Sequence, residues 1–237
     1  MRIRKFNESV NDETLLYYAF DWDDNLLFMS TSIILLDADG EEVDISTGDF
    51  AKYRTLIGKE DFDYNGKTIV GYPKTSEGKV DFNHGVYGPF RNFRDDNDPE
   101  IFKKDTIDTL KSGDFGPAWG DFIECLTHGS IFAIITARGH ESEGIRLGVE
   151  YIIDEYLTTE QQQQMYDYLL KYKYHSNENT NYDRVLRGKP SDNELVKSYL
   201  DLCDFIGVSS PSRGGTPDNP EEAKRIALTE FKRKVDR

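Results

Sequence analysis

The sequence predicts an α/β fold, in which a parallel β-sheet carries helices and is interrupted by inserted segments. Apolar runs with strand character lie at residues 16–20, 130–135 and 204–208, and each run ends in small or polar residues. Segments with helix start signals lie between or after these runs. The continuous run at 130–135 is typical of a strand that is covered on both faces in a parallel sheet. Ligands of such sheets bind beyond the carboxyl ends of the strands, so the three polar ends predict a single site.

Size, charge and cysteine content limit the possible classes. The chain has 237 residues, which fits one large domain or a core domain with an inserted subdomain. Its net charge of −15 disfavours nucleic acid and anionic membranes as partners. No run approaches the ~20 apolar residues that span a bilayer. Cys125 and Cys203 lie in apolar contexts, so we expect buried, reduced thiols and a cytoplasmic protein; the oligomeric state is left open.

Three helices have start signals in the sequence. Thr158 with Gln161 forms a capping box, and Ser191 with Glu194 forms another, because the polar side chains at these spacings satisfy backbone groups at a helix start. Asn219 is followed by a proline and two acids, which favour the first turn of a helix. These signals predict helices over about 158–170, 191–200 and 219–235.

The spacing of the strands predicts insertions. About 110 residues separate the first two strands, whereas a simple crossover needs roughly a dozen. Residues 30–99 alternate strand-like runs with turns, which predicts a β-rich insertion, and the largely helical residues 140–200 predict a second one. The core is then composed of residues 1–29, 100–139 and 201–237, with a helical stretch over 105–126 that is broken between Gly113 and Gly120.

The first strand ends in carboxylates, in the segment Phe20-Asp21-Trp22-Asp23-Asp24-Asn25-Leu26. Close like charges repel each other and are costly to bury, and a cation relieves both problems. Mg²⁺ suits such a place because it takes one or two protein carboxylates and keeps several waters. If the chain turns after Asp21, the Asp21 side chain and the Asp23 backbone carbonyl reach one ion. The Asp23 side chain then stays free for proton transfer.

This segment resembles the first motif of the haloacid-dehalogenase-like (HAD) phosphohydrolases, an apolar strand followed by Asp-x-Asp-x-(Thr/Val/Asn)-Leu. The resemblance implies a three-layer α/β/α core with a cap over the site. It also implies a Mg²⁺-dependent phosphatase or phosphotransferase that forms an aspartyl-phosphate on a phosphorylated small molecule or nucleotide. Asp21 would be the nucleophile, Asp23 the general acid/base, and both would hold Mg²⁺. The opening Met1–Ser9 and the Asp-Trp-Asp-Asp-Asn-Leu-Leu form resemble HAD-like proteins of tailed bacteriophages.

The second strand ends in Thr136-Ala137-Arg138-Gly139. A hydroxyl beside backbone N–H groups at a strand-to-helix turn forms an anion site, and an arginine adds a bidentate phosphate contact. The segment resembles the second HAD motif, in which a Ser or Thr binds the transferring phosphoryl group. The resemblance implies a catalytic role for Thr136 and substrate contacts from Ala137 and Arg138.

Two lysines compete for the third motif, a lysine that neutralises the nucleophile and the phosphate. Lys224 lies in the first turns of the helix after the third strand, and Lys189 resembles the Lys-Pro form of the motif. The strand count favours Lys224. If Lys189 is the motif lysine, residues 204–208 are instead the fourth strand.

The fourth motif, an acidic pair that completes the metal shell, is missing from the sequence. The nearby acids are Asp218, Glu221 and Glu222, in a loop and a helix start. Either the chain is a shortened version of a longer protein or metal binding has degenerated. We therefore expect weak Mg²⁺ binding and low or absent turnover, and the alternative function is a HAD-like binding or structural protein that has lost activity.

Overall fold

The computed structural model describes residues 17–82, 87–95, 98–174 and 188–236. The segment Met1–Ser9, on which part of the family resemblance rests, lies outside the described residues. In chain order the strands and helices are β1 (Tyr17–Phe20), β2 (Ser32–Asp37), β3 (Glu42–Ser46), α1 (Thr47–Tyr53), β4 (Phe62–Tyr64), β5 (Lys67–Gly71), α2 (Glu100–Ser112), α3 (Trp119–Thr127), β6 (Ile131–Thr136), α4 (Ser142–Tyr151), α5 (Thr159–Tyr174), α6 (Glu194–Leu200), β7 (Asp204–Gly207) and α7 (Pro220–Val235).

A parallel sheet contains the three strands that the sequence predicts. In the described part of the chain its order is β1-β6-β7, and both pairings are parallel. Phe20 pairs with Ile134, and Thr136 pairs with Gly207, so the three strands end at the same edge. The predicted α/β class and parallel sheet are therefore confirmed.

Helices cover both faces of this sheet because β6 is apolar on both sides. Phe132 and Ile134 pack with side chains from α2 to α6 in the larger core cluster. Ala133 and Ile135 face the opposite way and pack with Ala227 and Phe231 of α7. The helices of residues 142–200 belong to the larger cluster, so the predicted second insertion shares its hydrophobic core with the parallel sheet.

A separate antiparallel sheet has the order β3-β2-β5-β4 and lies within residues 30–99, where the sequence predicts β-rich structure. Ile33 pairs with Ile45, and Leu35 with Val43, so one face of the sheet carries a row of buried aliphatic side chains. A second hydrophobic core forms on that face, and Phe93 belongs to it. Phe93 also brings this core next to the carboxyl edge of the parallel sheet, as shown below.

The helix starts agree with two of the three sequence signals. Thr158 and Gln161 bond each other's backbone N–H groups, at 3.2 and 2.9 Å, as the capping box predicts. The Asn219 side chain accepts a hydrogen bond from the Glu222 backbone at the start of α7. The Ser191 capping box is wrong: α6 begins at Glu194 after an Asn193 cap, because the Ser191 hydroxyl and backbone bond the Asp154 carboxylate instead.

Both cysteines are buried and unpaired by disulfide, as expected. Burial raises the pKa of the Cys125 thiol well above its ordinary value and that of Cys203 to about 12. Across the described ranges, no helix is long and apolar enough to cross a bilayer.

Candidate functional site

A tight loop after β1 sets the direction of the carboxylates. Trp22 is fully buried, and its backbone carbonyl accepts hydrogen bonds from the Leu26 and Leu27 N–H groups at 2.9 and 3.1 Å. The Asp24 N–H returns a 3.0 Å bond to the Leu27 carbonyl. Asp24 adopts a positive φ of 56°, which Asp tolerates better than most residues. With Trp22 anchored inward, the neighbouring Asp21 and Asp23 lie at the edge of the sheet.

Asp21 forms an ion pair with a lysine from α7. Lys224 Nζ lies 2.6 Å from Asp21 Oδ2, and the Trp22 N–H donates to Asp21 Oδ1 at 2.9 Å. The Asp21 side chain is 34% exposed, so one side of the carboxylate faces solvent.

Thr136 and Arg138 contact the second carboxylate. The Thr136 hydroxyl donates to Asp23 Oδ2 at 3.2 Å. Arg138 Nε donates to both oxygens of Asp23, at 3.1 and 2.9 Å, and Arg138 Nη2 lies 2.7 Å from Oδ1. The Asp23 side chain is therefore engaged, whereas the sequence argument leaves it free for proton transfer. This difference arises because Arg138 turns inward from the end of β6 toward the loop.

The Arg138 guanidinium lies in the interior and not at the surface where we expect a phosphate contact. Its side chain is 1% exposed. The Phe93 ring covers it, with the guanidinium carbon 4.6 Å from the ring centroid, and Phe102 lies at 5.6 Å. Arg138 Nη2 also donates to the Thr31 hydroxyl at 2.9 Å. Ala137, next to it, is exposed at the turn.

The competing lysine lies elsewhere. Lys189 is 63% exposed and pairs at 3.0 Å with Glu155, in the π-helical turn that follows α4. Lys224 contacts Asp21 directly. Of the two lysines that the sequence leaves open, the structure brings Lys224 to the candidate site.

Burial controls the electrostatics of the two outer carboxylates. Burial raises the pKa of Asp21, and the Asp23 charge adds to the rise, while the Lys224 ammonium and the Trp22 N–H oppose it. Burial also raises the pKa of Asp24, whose carboxylate accepts a 3.0 Å hydrogen bond from Thr47. A cation beside Asp21 offsets the cost of keeping it ionised, and Lys224 already supplies one.

The residues fit a metal that takes few protein ligands. In residues 17–82, 87–95, 98–174 and 188–236, no group of three or more His, Cys, Asp or Glu side chains is arranged to hold a metal ion. Arg138 and Thr136 engage the Asp23 carboxylate, so the ligands that would hold Mg²⁺ are the Asp23 backbone carbonyl and the Asp21 carboxylate, which also accepts hydrogen bonds from Lys224 and the Trp22 N–H. Mg²⁺ accepts such a set because waters and substrate oxygens complete its shell.

Sequence reasoning missed the residues that hold Arg138. Thr31, Phe93 and Asp105 lie far from Arg138 in the sequence, and each is an ordinary loop or helix residue when taken alone. No spacing rule connects positions so distant, so no signal in a single sequence reveals them.

Comparisons with known proteins add no relatives. No protein-family model matches the chain. Searches of curated proteins and of solved structures find no match either. The function is therefore argued from the geometry of the site.

Proposed function

We propose that this protein is a Mg²⁺-dependent phosphohydrolase of the HAD type, acting on a phosphorylated small molecule or nucleotide through an aspartyl-phosphate. The observation that carries the proposal is the 2.6 Å pair between Asp21 and Lys224 at the carboxyl edge of a parallel sheet, beside Thr136 and Asp23. A partly exposed carboxylate next to an ammonium and a hydroxyl is a suitable nucleophile for phosphorus. Phosphoryl transfer depends mainly on positioning and charge neutralisation.

The proposed chemistry uses the chain's own groups. An Asp21 oxygen forms a bond to phosphorus as the bond to the leaving oxygen breaks. Asp23, once Arg138 has released it and it has taken a proton from solvent, gives that proton to the leaving oxygen. Water then attacks the aspartyl-phosphate, Asp23 takes a proton from it, and Asp21 is released. Lys224 binds the phosphoryl oxygens, and the Thr136 hydroxyl joins it when it exchanges Asp23 for the phosphoryl group. A bound Mg²⁺, held by Asp21 and the Asp23 carbonyl, would neutralise phosphate charge.

Arg138 enters this proposal differently from the sequence expectation. Because its guanidinium is buried against Asp23, it orients the acid/base instead of binding the substrate. A cytoplasmic location is part of the proposal, and the two buried thiols support it.

The test uses hydrolysis of an aryl phosphate by the purified chain, with Mg²⁺ and with a chelator. Asp21→Asn removes the nucleophile and reduces activity to the uncatalysed background, while the fold survives because burial already disfavours the Asp21 charge. Asp39→Asn is the matched control, since Asp39 is an exposed residue of the β2–β3 turn. Full activity in Asp21→Asn would rule out the covalent mechanism.

A second candidate is a phosphate-binding protein without turnover. The engagement of both Asp23 oxygens favours it, because a carboxylate held by arginine must exchange partners before it moves a proton. Binding of inorganic phosphate by the wild type, with no hydrolysis at any Mg²⁺ concentration, would select this candidate.

A further inference from the structure

Hydrogen bonds through two buried side chains, Thr31 and Arg138, connect Asp105 of helix α2 to Asp23. The Thr31 hydroxyl donates to Asp105 Oδ2 at 3.0 Å. Arg138 Nη2 donates to the same hydroxyl at 2.9 Å, and also to Asp23 Oδ1 at 2.7 Å. Thr31 is 7% exposed and Arg138 1%. The contacts therefore join residues from three distant parts of the sequence around one guanidinium.

The available donors determine which group donates in each hydrogen bond of this network. Arginine has only donors, so Thr31 must accept from Arg138. The single hydroxyl hydrogen of Thr31 is then left for Asp105, which accepts it. Asp105 thus holds the Thr31 hydroxyl in the rotamer that presents a lone pair to Arg138. Burial raises the pKa of Asp105, and the bond from Thr31 opposes that rise.

Two aromatic rings contact the Arg138 guanidinium in addition to its hydrogen bonds. The guanidinium carbon lies 4.6 Å from the centroid of the Phe93 ring and 5.6 Å from that of the Phe102 ring. A bidentate arginine–carboxylate pair needs the fork and the carboxylate in one plane. Asp23 accepts from Nε and Nη2 along one edge of the fork, and Thr31 adds a second contact at Nη2 that supports this orientation.

We infer that Thr31, oriented by Asp105, is a positioning residue that acts through Arg138 to fix the Asp23 carboxylate beside Thr136. The effect on catalysis rests on the proposed function, whereas the claim that Thr31 holds Arg138 in place is independent of it. Thr31 lies in the segment between the site loop and β2, so the segment entering the antiparallel sheet supplies the restraint.

The experiment compares Thr31→Val with Thr31→Ser, which keeps the hydroxyl. Solvent exchange of the Arg138 Nε–H, assigned by its loss in Arg138→Lys, reports how often the guanidinium is released. Loss of a hydrogen bond to a charged group increases release about tenfold or more in Thr31→Val. Thr31→Ser keeps the wild-type rate. For aryl-phosphate hydrolysis, kcat changes in Thr31→Val because the Asp23 carboxylate is held differently, while KM stays constant because the substrate contacts are unchanged.

Thr106→Val is the matched control. Thr106 is also buried, and its hydroxyl donates at 2.8 Å to the Phe102 backbone of its own helix. We expect wild-type exchange and kcat in this variant. If Thr31→Val does not fold, Asp105→Ala replaces it as the test variant. We expect this variant to increase solvent exchange of the Arg138 Nε–H, because the Thr31 hydroxyl is no longer oriented by Asp105.

The outcomes separate the two ideas. Unchanged Arg138 exchange in Thr31→Val, or an equal increase in Thr106→Val, would overturn the positioning role. A wild type that shows no hydrolysis would instead defeat the proposed function, and the exchange rates would still decide whether Thr31 holds Arg138.

Discussion

The parallel and antiparallel sheets divide the candidate site between them. The parallel-sheet region, with α7, carries every group to which we assign chemistry: Asp21, Asp23, Thr136, Arg138 and Lys224. The antiparallel-sheet region contributes no proposed reactive group. It instead supplies contacts to the loop after β1, through Thr47 on Asp24, and to Arg138, through Phe93.

This difference gives the antiparallel-sheet region a supporting role at the candidate site. Besides the contacts to Asp24 and Arg138, the Phe93 carbonyl accepts a 2.9 Å hydrogen bond from the Gly139 N–H. These contacts reach the turns after β1 and β6, the two turns that form the site. Three experiments test this division of roles between the two sheets.

The largest effect concerns the lysine of the parallel-sheet region. Lys224→Met removes the ammonium beside Asp21, and we expect a loss of about 10²–10³ in kcat/KM for aryl-phosphate hydrolysis, the range for one lost charge-stabilising donor. Lys189→Met is the control, since Lys189 pairs with Glu155 at the surface. A larger loss in Lys189→Met would move the site away from the end of β1.

The second prediction asks whether the two sheets unfold together. Ile69→Ala opens the antiparallel core and Ile134→Ala the parallel core, where both side chains are fully buried. Each should lower the free energy of unfolding by about 2–5 kcal/mol. Because the regions share the contacts around Arg138, we expect one urea transition with an unchanged slope in both variants. A separate early transition in Ile69→Ala would make the antiparallel region an independent unit.

The smallest effect is a pH dependence where the regions meet. His140 is fully buried, stacks edge-on against Phe102 and has its Nε2 3.9 Å from Asp95 Oδ1. Burial, with the charges of Arg138 and Arg94, holds the pKa of His140 well below its ordinary value of 6.5. Below about pH 6.5, His140 therefore binds a proton in the unfolded chain while it stays neutral in the folded chain.

The contribution of His140 to the free energy of unfolding is fully present above the pKa that histidine has in the unfolded chain. As the pH falls below that pKa, the free energy of unfolding decreases by up to about 1.4 kcal/mol per pH unit. Urea titrations at about pH 7.5 and about pH 5.5 bracket that pKa. The decrease should shrink in His140→Leu and persist in His128→Gln, a partly exposed control. An equal decrease in all three proteins would assign it to other groups.

The sequence predicts the parallel-sheet region well for a physical reason. β6 is covered on both faces, so its residues form an unbroken apolar run, and the polar residues that follow mark the edge of the sheet. Short sequence motifs identify Asp21 and Thr136. Both lie at the same edge of the sheet because β1 and β6 pair in parallel.

The antiparallel region is harder to read because its signals are short. The β4–β5 hairpin turns at Asn65-Gly66, with positive φ at both residues, and this two-residue pair is its one strong local signal. No local sequence pattern predicts the contacts on Arg138, because its partners Thr31 and Phe93 lie far from it in the sequence. The failed cap at Ser191 has a similar cause, since Asp154, 37 positions away, competes for its hydroxyl.

The two buried thiols have a practical consequence for such experiments. Cys125 and Cys203 are 1% and 5% exposed, and their raised pKa values keep them protonated and poorly reactive at neutral pH. The chain has no other cysteine. A cysteine introduced at an exposed residue such as Asp39 would therefore react selectively with maleimide dyes or spin labels. Distances between the two sheets then become measurable in solution without first removing the native thiols.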